Sequence, residues 1–263
     1  MQKCLICTSQ NEPFMSFGPM PIANGFIAEE AFDTEYFYEM EVMFCEWCKT
    51  LQLVDQPEPN QMFNSNYAFF SGTSRFMATH FERWADQVVD DYLGVSTDPF
   101  VVEMGSNDGI LMKHFAKRNI RHLGVEPSAN VAEIAMGQGV NTIIEFFDKK
   151  LAQKILREYG QADVYLAANV MCHTPYINSI VEGIKVLLKA DGLVVFEDPY
   201  LGDVVEKTTY DQIYDEHAFL YSVHSVQHLF ARSGMEVIDV QPQNTHGGSM
   251  RYVIANEKKL QIS

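Results

Sequence analysis

Four of the five cysteines stand in two closely spaced pairs, and such pairs are typical of metal sites. Cys4 and Cys7 form one C-x-x-C pair, and Cys45 and Cys48 form the other. Each pair places two thiolates on a tight turn, and two pairs complete the four-sulfur tetrahedron that zinc prefers. Four ligands leave no position for a catalytic water, so we predict a structural zinc site. The alternative is four small packed side chains, which is how we interpret the isolated Cys172.

A glycine-containing turn after a strand-like run indicates a cofactor site. In the segment Glu103–Gly109, Gly105 permits close backbone approach, and Gly109 lets the turn enter a helix without a Cβ clash. Glu126 follows about 20 residues later, where a carboxylate accepts ribose hydroxyls. The turn lacks the central glycine of the dinucleotide fingerprint, so it favours S-adenosylmethionine (SAM), which has no phosphate, over NAD. The alternative is simple strand–helix packing. We expect these residues to contact the cofactor: Glu103, Gly105, Asn107, Asp108, Gly109, Glu126, Pro127, Phe146, Phe147 and Asn169.

Strand-like and amphipathic segments alternate from Phe100 onwards, and this alternation predicts a doubly wound, mostly parallel sheet with helices on both faces. Seven runs are strand-like: 100–104, 122–125, 141–144, 163–167, 192–196, 236–240 and 250–254. The last two runs are joined by a link too short for a helix, so we expect them to form an antiparallel hairpin. We predict a zinc-binding domain at 1–60, a helical connector at 61–95 that contributes to the active site, and a SAM-binding domain at 96–263.

Several separate motifs resemble the SAM-dependent sugar C-methyltransferases of deoxysugar biosynthesis, which also carry an N-terminal four-cysteine zinc domain. These motifs are Glu103–Gly109, Tyr67–Gly72, Tyr210–His217 and His246–Arg251. The resemblance implies methylation at C-3 of a dTDP-linked 4-keto-deoxysugar. Members of the family usually continue into a further domain that helps to hold the nucleotide. This sequence ends at Ser263, so either it is part of a longer protein or its substrate is a different, smaller one, and we expect weak affinity for the nucleotide.

A tyrosine–glutamate–histidine segment follows the fifth strand of the predicted parallel sheet. Chemistry in such sheets takes place beyond the carboxyl ends of the strands, so Tyr214, Glu216 and His217 should lie above the methyl donor. A ketone must lose an adjacent proton before its carbon attacks a methyl group, and an imidazole that titrates near neutral pH suits that role. A phenol, from Tyr214 or Tyr67, would stabilise the enolate oxygen.

Other residues are expected to orient or to bind the substrate. Glu216 would orient the imidazole or a sugar group, and the resemblance implies that Asn169 and His173 contact cofactor or sugar. Arg251 would bind a phosphate or pair with a surface carboxylate, and the sequence favours neither. We interpret the histidines at 114, 122, 224 and 228 as solvated or structural.

The charge balance restricts the partners of this chain. Its 263 residues hold 19 Lys and Arg against 35 Asp and Glu, and the formal net charge of −16 argues against nucleic acid or anionic lipid as a partner. No apolar run is long enough to span a membrane and no secretory leader is visible, so we expect a cytoplasmic enzyme acting on a small molecule. The alternatives are SAM-dependent O- or N-methylation of a small metabolite, and a zinc-dependent interaction module on an inactive fold.

Overall fold

The chain begins with short strands that hold the four cysteines. In the computed structural model, which describes residues 1–65, 67–94 and 96–257, β1 (Gln2–Lys3) and β2 (Gln10–Asn11) form a small antiparallel ribbon. Three longer strands follow, and each pairs antiparallel with the next: β3 (Pro13–Pro21), β4 (Phe37–Cys45) and β5 (Thr50–Leu53).

Helical segments connect this part to the larger domain. The short helix α1 (Pro59–Met62) precedes a 3₁₀ turn at Ser71–Thr73. Helix α2 (Arg75–Gln87) begins where the Ser74 side chain accepts a hydrogen bond from the Met77 N–H. It continues as one π-helical turn, Val88–Tyr92.

Strands and helices alternate in the larger domain. Its strands are β6 (Phe100–Met104), β7 (Arg121–Val125), β8 (Thr142–Ile143), β9 (Ala162–Ala168), β10 (Leu188–Pro199), β11 (Phe219–Leu220), β12 (Met235–Gln243) and β13 (Ser249–Asn256). Its helices are α3 (Met112–Lys117), α4 (Ala129–Gly137), α5 (Lys149–Tyr159), α6 (Ile177–Leu187), α7 (Leu201–Lys207) and α8 (Val223–Ala231).

Seven strands form the central sheet, in the order β12-β13-β10-β9-β6-β7-β8. The strands from β6 to β10 pair in parallel, whereas β13 is antiparallel to both β10 and β12. The predicted doubly wound sheet and its antiparallel end are therefore confirmed. The strand order reverses between β6 and β9, which opens a crevice at their carboxyl ends.

Apolar side chains of the central strands alternate between the two faces of the sheet. On β6, Phe100, Val102 and Met104 pack in a core shared with α5, α6 and α8, whereas Val101 packs in a core shared with α2 and α3. This alternation follows the two-residue period of a strand. Burial on both faces explains why β6 is apolar along almost its whole length.

The outermost strand of the N-terminal sheet comes from a distant part of the chain. The four-stranded sheet has the order β11-β5-β4-β3, and Phe219 and Leu220 of β11 pair with Gln52 and Leu51 of β5.

The domain boundaries predicted at residues 60 and 95 stay predictions. Asn66, Val95 and residues 258–263 lie outside the described part of the chain. None of the helices that the structure describes is both long and apolar enough to span a membrane.

Candidate active site

The glycine turn after β6 is held by the carboxylate that ends β7. Glu126 accepts hydrogen bonds from the Asn107 N–H (3.0 Å) and the Ser128 N–H (2.8 Å). Burial raises the pKa of Glu126, and these two backbone donors oppose that rise. Gly105 has φ +67, and a Cβ atom there would lie 2.6 Å from the Val170 side chain. Only glycine therefore fits this position.

Residues 67–73, which we call the strap, cross over this turn. The Asn107 side chain accepts from the Ser71 N–H (3.0 Å) and donates to the Phe69 carbonyl (3.1 Å). The Asp108 carboxylate accepts from the Gly72 N–H at 2.7 Å. Asn107 and Asp108 were predicted to contact cofactor, and in the structure their side chains bind the strap.

A large cavity opens between the turn, the strap and the loops after β9 and β10. Its empty volume is about 1230 Å³, which includes the part open to solvent. Most of the predicted cofactor-binding residues line it: Gly105, Asn107, Glu126, Pro127, Phe146, Phe147 and Asn169.

Three predicted cofactor-binding residues do not line the cavity. Glu103 is buried within the sheet, and burial together with the nearby Glu126 and Asp108 raises its pKa well above the usual range. Gly109 faces helix α4, where an added Cβ atom would lie 3.0 Å from Ala135. Asp108 lies beneath the strap. These three residues support the turn on the side away from the cavity.

The loop that precedes β11 places His217 in the cavity wall as a neutral imidazole. His217 Nδ1 lies 2.6 Å from the Gln212 carbonyl oxygen. A carbonyl only accepts, so Nδ1 carries the proton and Nε2 keeps its lone pair. Burial lowers the pKa of His217 to about 4, so the imidazole does not titrate near neutral pH as the sequence led us to expect.

Glu216 is bound by two donors from different parts of the chain. The Tyr67 hydroxyl donates to Oε2 at 3.1 Å, and the Asn24 amide donates to Oε1 at 2.6 Å. The imidazole of His217 is therefore oriented by Gln212, while Glu216 binds Tyr67. The sequence analysis missed both Asn24 and Gln212. The dipeptide Asn24-Gly25 signals a turn but carries no sign of its distant contact.

Tyr214 and His173 flank the imidazole. The Tyr214 and His217 rings lie 4.3 Å apart, and the His173 and His217 rings 5.3 Å apart, measured between centroids. Burial raises the pKa of Tyr214 and lowers that of His173 well below its usual value. Both are therefore neutral at physiological pH. The structure thus brings the predicted catalytic residues together in one cavity with His173.

Two buried polar atoms at the cavity lack partners among the residues that the structure describes. These atoms are Asn169 Oδ1 and His173 Nε2. Asn169 follows β9 and has φ +52. An unpaired buried acceptor at a cavity wall fits a ligand donor such as an ammonium group. SAM carries an ammonium group as well as ribose hydroxyls, so Asn169 and Glu126 fit this cofactor.

Arg251 lies outside this cavity, within a buried ion pair. Its guanidinium lies 2.9 Å from the Glu197 carboxylate and stacks over Trp84, with 4.2 Å between the guanidinium carbon and the ring centroid. The guanidinium also donates to Gln87. The sequence analysis offered a phosphate or a surface carboxylate as its partner. Its partner in the structure is a carboxylate, but a buried one.

The four paired cysteines converge on one site. The Cys4 and Cys48 sulfurs lie 3.6 Å apart, and the Cys7 and Cys45 sulfurs 3.5 Å apart. Sulfurs bound tetrahedrally to zinc at about 2.3 Å lie about 3.8 Å from one another, so the donor set and spacing fit zinc. The hydrogen bond from the Cys48 thiol lowers the pKa of Cys4 to about 5, and the same contact raises the pKa of Cys48, so Cys4 is the thiolate of this pair.

Two protein families match the chain. The family described as "Putative zinc binding domain" matches residues 4–63, and the family described as "Methyltransferase domain" matches residues 69–240. The first match includes all four clustered cysteines. The second runs from the strap to β12.

Individual proteins agree with these matches. The chain is 29% identical over 252 residues to the C-methyltransferase NovU of Streptomyces niveus, covering 95% of the chain and 60% of NovU. It is 28% identical over 111 residues to a ubiquinone biosynthesis O-methyltransferase of Acinetobacter baylyi, covering 41% of the chain and 47% of that protein. The chain thus spans less than two thirds of either relative.

A solved structure shares the fold. The magnesium protoporphyrin IX methyltransferase of Synechocystis PCC 6803, with bound SAH, has a TM-score of 0.52 and 14% identity, covering 70% of the chain and 89% of that protein. This likeness concerns the fold alone.

Proposed function

Since this chain belongs to the methyltransferase domain family, with S-adenosylmethionine as its cofactor and zinc as the metal of its cysteine cluster, we propose that it methylates carbon next to a ketone. The substrate in this proposal is a nucleotide-linked 4-keto-deoxysugar, methylated at C-3, or a similar small keto compound. The observation that carries the proposal is Nε2 of His217, which has no hydrogen-bond partner among the described residues and belongs to a side chain that lines the same cavity as the cofactor turn. The name of the relative NovU, a C-methyltransferase, supports it.

His217 acts as the base in this proposal. Its Nδ1–H is held by the Gln212 carbonyl, so Nε2 is the nitrogen that takes the proton from the carbon next to the ketone. The lowered pKa keeps the imidazole neutral, and therefore able to accept a proton, at every pH well above 4. It also makes the free imidazole a weak base, so the reaction needs strong stabilisation of the negative charge that develops on the ketone oxygen.

Tyr214 is the phenol best placed to stabilise that oxygen. Its hydroxyl has no hydrogen-bond partner among the described residues, and its ring lies against His217. The Tyr67 hydroxyl, in contrast, already donates to Glu216. We therefore assign the donor role to Tyr214, and to Tyr67 the role of orienting Glu216. When bound, the cofactor supplies the methyl group that the enolate carbon takes.

Cofactor and substrate bind at opposite ends of the cavity in this proposal. Glu126, beside the glycine turn, accepts the ribose hydroxyls, and Asn169 binds the polar end of the cofactor. His173, stacked on His217, contacts the substrate. Arg251 has no substrate role here, because its guanidinium is already bound by Glu197 and Gln87.

The proposed partner is a small molecule rather than a nucleic acid, since the net charge of −16 opposes polyanions. We also propose a cytoplasmic location. All five cysteines are free, and a reducing compartment keeps thiols available for metal.

Hydrogen exchange at carbon tests this proposal directly. The enzyme with SAH and a dTDP-linked 4-keto-6-deoxyhexose in deuterated water should incorporate deuterium next to the ketone. His217→Asn should lose exchange and methylation together, by about 10²–10⁴-fold. His224→Asn, an exposed histidine on α8, is the matched control and should retain both activities. Exchange that survives in His217→Asn would move the base elsewhere, and methylation of oxygen without exchange would refute the carbon chemistry.

A further inference from the structure

A turn of the N-terminal sheet reaches into the cavity of the methyltransferase domain. After β3, the chain turns at Ile22–Gly25, where the Gly25 N–H donates to the Ile22 carbonyl at 3.1 Å. The Ala23 N–H donates to the Asp215 carboxylate at 3.0 Å, and Asn24 Nδ2 donates to Glu216 Oε1 at 2.6 Å. Two successive residues of the turn thus bind two successive carboxylates beside His217.

The other end of this catalytic loop, which we define as residues 214–217, is also held by the N-terminal sheet. The Leu53 N–H donates to the Ala218 carbonyl at 3.0 Å, and β11 then pairs with β5. The loop therefore lies between two parts of the N-terminal sheet. Its position depends on the N-terminal domain as much as on the domain that binds the cofactor.

The contact from Asn24 bears on the charge of Glu216. Burial raises the pKa of Glu216, while the hydrogen bonds from Asn24 and Tyr67 favour the ionised form. An amide is a donor that cannot itself lose a proton at physiological pH. Asn24 and Glu216 both line the cavity, so this hydrogen bond lies in the cavity wall.

We propose that Asn24 is a positioning residue of the reaction, whose amide keeps Glu216 ionised and oriented in the cavity. An ionised carboxylate there favours the positive charge that His217 gains when it takes a proton. The N-terminal domain then completes the active site in addition to binding zinc. This inference rests on the proposed function for its link to the reaction, but the effect on Glu216 does not depend on the substrate.

The first experiment therefore needs no substrate. Carbon-13 NMR of glutamate-labelled, zinc-loaded protein, with Glu216 assigned from Glu216→Gln, follows the titration of this one carboxyl. Its pKa should move upward in Asn24→Ala and further upward in Asn24→Asp, which puts a second carboxyl where the amide was. Asn60→Ala, which changes an exposed asparagine of the same domain, is the matched control and should leave the titration unchanged. An unchanged pKa in both Asn24 variants would overturn the proposal.

The second experiment measures the reaction with SAM and a dTDP-linked 4-keto-6-deoxyhexose. In Asn24→Ala, kcat should fall about 10- to 100-fold, the effect of losing a hydrogen bond to a charged group, while KM changes little. Zinc content and SAM affinity should match the wild type. Loss of either would make Asn24 a structural residue and overturn the proposal, as would a shifted pKa with unchanged kcat. If the wild type fails to methylate this sugar, the proposed function fails, and the NMR titration still decides what Asn24 does.

Discussion

Burial of the neutral His217 imidazole should make the folded protein less stable in mild acid. The ordinary pKa of histidine is about 6.5, and in the folded protein that of His217 is about 4. At a pH between these values, the unfolded chain binds a proton at this side chain and the folded chain does not. The stability contributed by the neutral imidazole is therefore fully present above pH 6.5 and is lost as the pH falls towards 4.

The size of the effect follows from the two pKa values. Each pH unit between them corresponds to about 1.4 kcal/mol, so the whole interval is worth about 3 kcal/mol. At pH 5 the unfolded side chain is almost fully protonated while the folded one is still neutral. About 2 kcal/mol of the unfolding free energy should therefore be lost between pH 8 and pH 5 through this one residue.

Urea unfolding of the wild type and His217→Gln measures this loss, with fluorescence of the buried Trp84 as the signal. His173 and His246, whose pKa values are also lowered by burial, are present in both proteins, so the difference between the two reports His217 together with its effect on the pKa of the adjacent His173. On going from pH 8 to pH 5, the wild type should lose about 2 kcal/mol more than the variant. Between pH 8 and pH 7 the two should behave alike. An equal loss at pH 5 would refute the buried neutral imidazole, and with it the basis for assigning the base.

Three further outcomes are expected from other parts of the structure. Glu126→Ala should weaken SAM binding by about 1–3 kcal/mol in calorimetry, and unchanged affinity in the folded variant would count against its place in the cofactor site. Metal analysis should find one zinc per chain in protein purified without chelator, and Cys48→Ser should bind less, because it lacks one of the four clustered sulfurs. Arg251→Met should lower the unfolding free energy by about 1–3 kcal/mol, the cost of a lost hydrogen bond to a charged group, because the buried carboxylate of Glu197 keeps His80 and Thr245 as partners. Arg121→Met removes a solvent-exposed pair with Asp98 instead, and should change stability by no more than about 1 kcal/mol.

Much of the larger domain could be predicted because its signals are local. Each parallel strand is a short apolar run, and the run at Phe100–Met104 matches β6 residue for residue. The glycine turn and Glu126 stand at fixed distances from these runs, so spacing alone predicts a cofactor site beside them. Helix α8 was not predicted, because its capping box is formed by Ser222 and Ser225 and the usual sequence signal is a serine followed by a glutamate.

The contacts that complete the site could not be predicted, because they join residues far apart in the sequence. Asn24 and Glu216 are close in space only because the N-terminal sheet lies against the loop before β11. The buried partner of Arg251 depends likewise on β13 lying next to β10. The pKa of His217 is lowered by burial, and the identity of a residue does not show how deeply the fold buries it.

The pairing of β5 with β11 has a consequence for the order in which the protein folds during synthesis. Strand β5 ends at Leu53, and its neighbour β4 has already been synthesised by then. Its other neighbour, β11, is complete only when the ribosome has passed Leu220. Until then the nascent chain carries an open strand edge, which is a surface where aggregation begins. Closing such a distant pair is also slow. We therefore expect the N-terminal segment to depend on chaperones until most of the chain has emerged, and to reach its final form after the domain that follows it.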